Sequence, residues 1–217
     1  GPTGSALPIP THENILFIAQ NIGNVGFFEV ASAMKAQGCR VLYVASYDQR
    51  EHLFERELIE KSSDMVIWVV KTGDTIDSNR SQDLSFQGEL KEVLQALPTY
   101  AESLFKAPDQ TLVAGNPAMM GMIQDLRLSE LSTFFSKSKK NLASVGASMQ
   151  CMMKEICAQC CQLQHDPLTG REVIVFSCAT QNQPLEWIDF SMLKGRLSQN
   201  SVSEKLTAQW LKRKRNV

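Results

Sequence analysis

Four of the six cysteines fall within "CMMKEICAQCC", Cys151 to Cys161, a fifth, Cys178, follows shortly after, and only Cys39 lies elsewhere. In a reducing compartment, thiols gathered in this way bind metal or do redox work more often than they form disulfides. Cys151, Cys157, Cys160 and Cys178 form the series C-x5-C-x2-C-x17-C. The plant-type 2Fe–2S pattern is C-x4-C-x2-C followed by a distant fourth cysteine. In that arrangement a tight loop wraps three thiolates round one side of the cluster and a strand brings the fourth. The extra residue in the first gap is absorbed by a looser loop, or else another side chain replaces Cys151. Iron needs thiolates, so the site must be electropositive or rich in hydrogen-bond donors. Cys160 and Cys161 are adjacent, and neighbours on an extended chain point apart, so one of them is not a ligand. The C-x2-C spacing favours Cys160. Two other chemistries fit the same residues. A structural zinc would use four such thiolates, and unligated cysteines would pack as small apolar groups. Five cysteines within 28 residues speak against the last reading.

Elsewhere, reactive residues do not converge. His12, His52 and His165 are scattered among polar neighbours and read as surface histidines. There is no Ser-His-Asp arrangement, P-loop or paired carboxylates, so hydrolysis and phosphoryl transfer have no support. With 217 residues, 43% hydrophobic, 21% charged and a net charge of −1, the composition is that of a globular protein. That balance argues against nucleic acid as a partner, which needs a basic surface. The basic ending "LKRKRNV" reads as a solvated tail. No apolar run reaches the roughly 18 residues of a membrane span, and "GPTGSALPIP" lacks the features of a signal peptide. The expected location is cytoplasmic.

The elements that must position the cysteines follow from hydrophobic periodicity. "NILFIAQ", "RVLYVAS", "DMVIWVV", "TLVAG" and "NLASVGA" read as buried strands. Between them, "FFEVASAMKAQG" reads as a helix stopped by Gly38, "REHLFERELIEKS" as a charged amphipathic helix, and "GELKEVLQAL" as a helix ended by Pro98. "PAMMGMIQDL" is a helix with Pro117 at its first position, and "LSELSTFFSKSKK" another. Such alternation predicts an α/β fold, a doubly wound five-stranded parallel sheet with helices on both faces. Ligands of such sheets sit at the carboxyl ends of the strands. After Gly146 the pattern changes: "QLQHDPLTGREVIVFSC" reads as two strands joined by a turn at Asp166–Gly170. The expected division is 1–146 for the α/β domain, 147–195 for a small cysteine-rich β domain, and 196–217 for a helical or frayed basic tail.

This order of parts resembles the pyridine-nucleotide-binding half of the ferredoxin–NADP reductase superfamily joined to a C-terminal 2Fe–2S domain. The arrangement is that of the electron-transfer subunit of dihydroorotate dehydrogenase. It is also that of the small subunits of sulfide dehydrogenase and NADH-dependent ferredoxin–NADP oxidoreductase. "GPTG" is similar to the Gly-Pro-x-Gly linker at the end of the family's flavin barrel, and "VAGNPAMM" to its Gly-Asn/Pro-x-x-Met turn. "ICAQCC…VFSC" is similar to its cysteine set, and "WIDFSML" to its closing segment. The resemblance implies NAD or NADP contacts at Asn21, Gly23 and Asn24 in the first turn. It implies others at Gly73 and Asp74 in "KTGDT", and at Gly115, Asn116, Pro117 and Met119. Met119 and Met120 also read as core. For the metal it implies Cys151, Cys157, Cys160 and Cys178. FAD would come from a missing domain or from a partner catalytic subunit, so the chain is a fragment or a member of a hetero-oligomer.

The first turn reads Ala19-Gln20-Asn21-Ile22-Gly23-Asn24-Val25-Gly26 where the family has Gly-Gly-Gly-x-Gly-x-Ala-Pro. Glycines there let backbone amides approach a pyrophosphate, and asparagine tolerates their positive φ better than most residues. The turn is either a nucleotide site or purely structural. Asp48 favours a free ribose 2′-hydroxyl and Arg50 a 2′-phosphate, leaving NAD against NADP open. Two functions follow. One is an electron-transfer module from NAD(P)H through flavin and a 2Fe–2S cluster to a partner protein. The other is a relay or assembly subunit with a degenerate nucleotide site and a structural cluster or zinc.

Overall fold

The structure, a computed structural model, describes residues 6–146, 154, 156–200 and 202–215. The chain divides into two units. The larger comprises Ala6–Ser144 and Pro184–Glu186, and the smaller Val145–Gln183 and Trp187–Val217.

The larger unit begins with β1 (Asn14–Gln20), α1 (Phe27–Ala36), β2 (Arg40–Gln49), α2 (Arg56–Lys61) and β3 (Met65–Thr72). It continues with β4 (Leu84–Gln87), α3 (Leu90–Gln95), α4 (Leu97–Ala101), β5 (Gln110–Ala114), α5 (Pro117–Leu128) and β6 (Lys140–Ser144). Six parallel strands lie in the order β4-β3-β2-β1-β5-β6. The central strands are apolar on both faces, as a covered parallel sheet requires. One face carries Phe17, Tyr43, Tyr47, Trp68 and Leu112 against Phe27, Ala31 and Met34 of α1 and Ile59 of α2. The alternate residues Leu16, Ile18, Leu42, Val44, Ile67, Val69 and Val113 are also buried. Flanking helices and this sheet make the α/β class expected from the alternating periods.

Three details differ from the sequence reading. The sheet has a sixth parallel strand, β4, beyond the five expected. It is four half-exposed residues at an edge, with no apolar run to announce it. Phe86 is held there by stacking on Tyr100 of α4, 4.8 Å between centroids. Pro98 accordingly opens α4 as well as following α3. The charged helix is broken: Glu55 takes φ +49, and α2 keeps only six residues. Leu53 and Phe54 are drawn onto the core instead, Phe54 edge-on to Tyr47 at 6.3 Å. "LSELSTFFSKSKK" forms turns rather than a helix. Its hydroxyls bond back to the chain, Ser129 to the Asp125 carbonyl at 2.6 Å and Ser136 to the Thr133 carbonyl at 2.7 Å. Serine and threonine compete with helix in this way.

In the smaller unit β7 (Cys161–His165) and β8 (Glu172–Phe176) pair antiparallel. The turn between them is at Asp166–Gly170, as its residues suggested. Asp166 accepts from Leu168 N–H at 2.9 Å and Thr169 Oγ1 at 2.6 Å, and Gly170 takes φ +69. After β9 (Asn182–Pro184) come α6 (Phe190–Asn200) and α7 (Val202–Arg215). Asp189 caps α6, its Oδ1 2.9 Å from Met192 N.

The buried carboxylate of Asp83 organises one end of β3. It accepts from Val66 N–H at 2.8 Å and from Arg80 at 2.7 and 2.8 Å. Arg80 also donates to the Ser63 carbonyl at 3.0 Å. Replacing Asp83 with alanine takes a partner from a half-buried guanidinium and strands a buried N–H. The expected loss is about 1–3 kcal/mol, seen as a lower urea midpoint with an unchanged m-value.

Candidate functional site

The strand order reverses at β1, between β2 on one side and β5 on the other, and the carboxyl ends of β1 and β5 form the topological switch point. Residues 21–26 wind there as a 3-10 turn. Asn21 takes φ +49, the geometry expected where the family has glycine. Its side chain grips Asp48 twice, Nδ2 donating to the carboxylate at 2.8 Å and Oδ1 accepting the Asp48 N–H at 3.0 Å. Asn24 is fully buried, its Nδ2 donating to the Asn21 carbonyl at 3.0 Å while its Oδ1 has no partner among the described residues. Tyr43 donates to the Asn24 carbonyl at 3.3 Å. Burial, and secondarily the neighbouring Tyr47, push the Tyr43 pKa far above the ordinary phenol value, so it remains a donor.

Gly23 lies on the end of β5. A Cβ there would sit 2.4 Å from the Ala114 carbonyl oxygen and 2.7 Å from its carbon. Gly115 faces a movable neighbour, Met119 Cε at 2.3 Å. Asn116 caps α5, accepting from Met119 N–H at 2.9 Å, with Pro117 at the helix start. Asn116 Nδ2 also donates to Gln20 Oε1 at 2.7 Å, joining the ends of β1 and β5. The structure therefore brings together Asn21, Gly23, Asn24, Gly115, Asn116, Pro117 and Met119, and Met119 is buried as core. Gly73 (φ +93) and the exposed Asp74 lie beyond the end of β3, two strands from β1. Arg50 is engaged by Asp77 at 3.1 Å and the Thr75 carbonyl at 3.0 Å.

The cysteines belong to the smaller unit. Cys160 and Cys178 are buried, and Cys157 and Cys161 half-buried. Cys151 lies outside the described residues. The pairing of Cys161 with Phe176 continues one step further, Ser177 N–H donating to the Cys160 carbonyl at 3.1 Å. Cys160 thus stands opposite Ser177, the residue before Cys178. Strand alternation puts Cys160 on the buried face with Gln162 and Gln164, and Cys161 on the other. Ala158, between Cys157 and Cys160, takes φ +55. Its carbonyl accepts from the Arg196 guanidinium and from Cys161 N–H, the latter at 3.2 Å. Arg196 places positive charge beside the loop. Among the described residues, no three His, Cys, Asp or Glu side chains are gathered closely enough to hold a metal ion.

Sequence reasoning missed the Gln20–Asn116 and Asn21–Asp48 pairs. It also missed a buried cluster of Gln162, Gln164, Gln183 and Ser177. The signal for the cluster was two glutamines spaced two apart in a strand, which alternation puts on one face.

The architecture is an open parallel α/β sheet with a small antiparallel unit. No family model matches the chain. Protein RP006 of Rickettsia prowazekii (strain Madrid E), itself described as uncharacterized, is 28% identical over 207 residues, 95% of this chain and 20% of that protein. The chain thus spans about a fifth of its relative's length. A solved chain of the NADH-dependent reduced ferredoxin–NADP oxidoreductase, described for flavin-based electron bifurcation, superposes with a TM-score of 0.70 at 18% identity. The match covers 97% of this chain and 66% of that one. The two share a fold. Among the described residues, no helix is long and apolar enough to cross a membrane.

The glycines at the first turn make a paired test. Gly23→Ala drives a methyl into the β5 backbone and is expected to cost about 1–3 kcal/mol or more. Gly26→Ala meets nothing within 4 Å at φ −87, and is expected to be neutral or to stabilise by up to about 1 kcal/mol. Thermal denaturation of the two variants checks both.

Proposed function

We propose that the chain is the electron-transfer part of a nicotinamide- and flavin-linked oxidoreductase. Electrons would reach it from NAD(P)H by way of FAD on another domain or subunit, and leave through a 2Fe–2S centre to a partner protein. A hetero-oligomer follows from that division of labour. The observation that carries the reading is the meeting of buried Cys160 with the strand end that bears Cys178, through the Ser177 N–H bond to the Cys160 carbonyl. The shared fold with an NADH-dependent oxidoreductase chain supports it.

The donor set suits iron: soft thiolates, a guanidinium at the loop, and cover from solvent at two of the sulfurs. Cys157, Cys160 and Cys178 would be ligands, with Cys151, outside the described residues, as the fourth. When bound, a 2Fe–2S cluster supplies one-electron storage at a potential set by its surroundings. The protein's part is to hold the loop, exclude water from Cys160 and Cys178, and offset charge with Arg196.

A dinucleotide at the switch point needs N–H donors for its phosphates. Asn116 Nδ2 and Met119 N are already engaged, and Asp48 is held by Asn21. Binding of NAD or NADP by Asn21, Gly23, Asn24, Gly115 and Asn116, with Gly73 and Asp74 toward the nicotinamide, therefore requires these pairs to open. Titration of the flavin-bearing assembly with NADH and NADPH tests this part. Saturable binding is expected, and its absence leaves the relay function.

Purified anaerobically, the protein is expected to be brown and to contain iron and acid-labile sulfide. Cys157→Ser and Cys160→Ser should bleach it, while Cys39→Ser and Cys161→Ser keep the visible spectrum. A colourless protein with stoichiometric zinc would overturn the iron assignment.

A further inference from the structure

We infer that Gln183 and Ser177 are positioning residues that hold Cys160 and Cys178 side by side; the inference rests on the reading of these thiols as a metal-binding pair. Gln162, Gln164, Ser177 and Gln183 are all 2% exposed or less, where leaving an amide without hydrogen bonds is costly. Gln183 Oε1 accepts from Gln162 Nε2 at 2.6 Å and from Gln164 Nε2. Its Nε2 donates to Ser177 Oγ at 3.2 Å and to the Thr180 carbonyl at 2.8 Å. Two acceptor sites and two donors are thereby filled, the whole capacity of a primary amide.

These bonds bracket the second thiol. Ser177 precedes Cys178 and Thr180 follows it by two, and both are tied to Gln183. Thr180 N–H also closes back on the Phe176 carbonyl at 2.9 Å, wrapping the turn round Cys178. The first thiol is fixed by the same residues. Ser177 N–H holds the Cys160 carbonyl, and Ser177 Oγ accepts from Gln162 Nε2 at 2.9 Å, two residues along β7 from Cys160. An apolar side chain at 183 would fill the space and leave Gln162, Gln164, Ser177 and Thr180 each short of a partner. A serine-to-alanine change at 177 keeps the backbone bond to Cys160 and removes only the hydroxyl shared by two amides.

The test is alkylation of the full-length, metal-free, reduced chain with iodoacetamide, mapped residue by residue by mass spectrometry. In the wild type, Cys160 and Cys178 should react more slowly than Cys157 by about tenfold or more, because they react only through local opening. Gln183→Leu should raise both rates by about tenfold and leave buried Cys39, in the other unit, protected; Ser177→Ala should raise them a few-fold. A second readout is the reduction potential of the iron-loaded protein, which should differ between wild type and Ser177→Ala. Unchanged Cys160 and Cys178 rates in both variants would overturn the positioning role. So would a rise in Gln183→Leu that includes Cys39, with Ser177→Ala like the wild type. Failure of the wild type to take up iron and sulfide, with the labelling contrast intact, would instead remove the metal reading and leave the positioning role standing.

Discussion

The register of one short hairpin governs what the cysteines can do. Asp166 organises its turn with both carboxylate oxygens, Gly170 supplies the positive φ, and Cys161 is thereby paired with Phe176. Because side chains alternate along a strand, a slip of one residue would exchange the two faces. Gln162 and Gln164 would then turn outward, and Cys160 would lose its place opposite Ser177. The turn at Asp166 thus decides which residues of the two strands stand opposite one another. The same parity separates the adjacent Cys160 and Cys161, which spacing alone could rank but not divide.

The two candidate centres differ in the groups they present to a ligand. At the switch point of the parallel sheet, the polar side chains bond mainly to one another: Asn21 with Asp48, Gln20 with Asn116, and Asn116 with the first turn of α5. Gly23 is required there by the chain's own β5 backbone, so the glycine serves close packing. In the thiol region Gln162, Gln164, Ser177 and Gln183 also bond to one another, and among the described residues the Gln159 and Gln162 amide oxygens, like Asn24 Oδ1 at the switch point, have no partner. A crevice closed by its own hydrogen bonds binds a ligand only by breaking them, whereas a cluster of buried sulfurs gains from an added cation.

Much of the fold could be read from the chain because it is written in local patterns. The apolar runs of β1, β2, β3, β5 and β6, the stop at Gly38, the cap at Asn116–Pro117 and the Asp166 turn each depend on a few adjacent residues. What escaped depends on distant partners. β4 is held by an edge pairing and by Phe86 on Tyr100. The break before α2 arises because the core claims Leu53 and Phe54. Gln20 and Asn116 are 96 positions apart, and nothing near either residue in sequence announces the bond. The glutamine cluster joins three segments in the same way, and its chemistry runs against the rule that strands bury their apolar face. The serine-rich stretch after α5 was misread because its apolar spacing is helical while its hydroxyls favour turns.

That inverted pattern bears on why the cysteines lie where they do. The larger unit is stabilised by a continuous apolar core of aromatic and aliphatic side chains, and needs no further cross-link. The buried face of the smaller unit's hairpin carries Gln162 and Gln164 beside Cys160, while Ile174 on β8 is 65% exposed. Amide–amide hydrogen bonds contribute only about 1 kcal/mol each net of lost water contacts, so such a face does little to hold a small unit together. A metal centre bound by thiolates can supply about 10–16 kcal/mol of binding free energy that is also folding free energy. On the proposed reading, a polar core and buried thiols would be complementary: the amides fix geometry at small net gain, and a metal held by the sulfurs would add the stability that the amides do not.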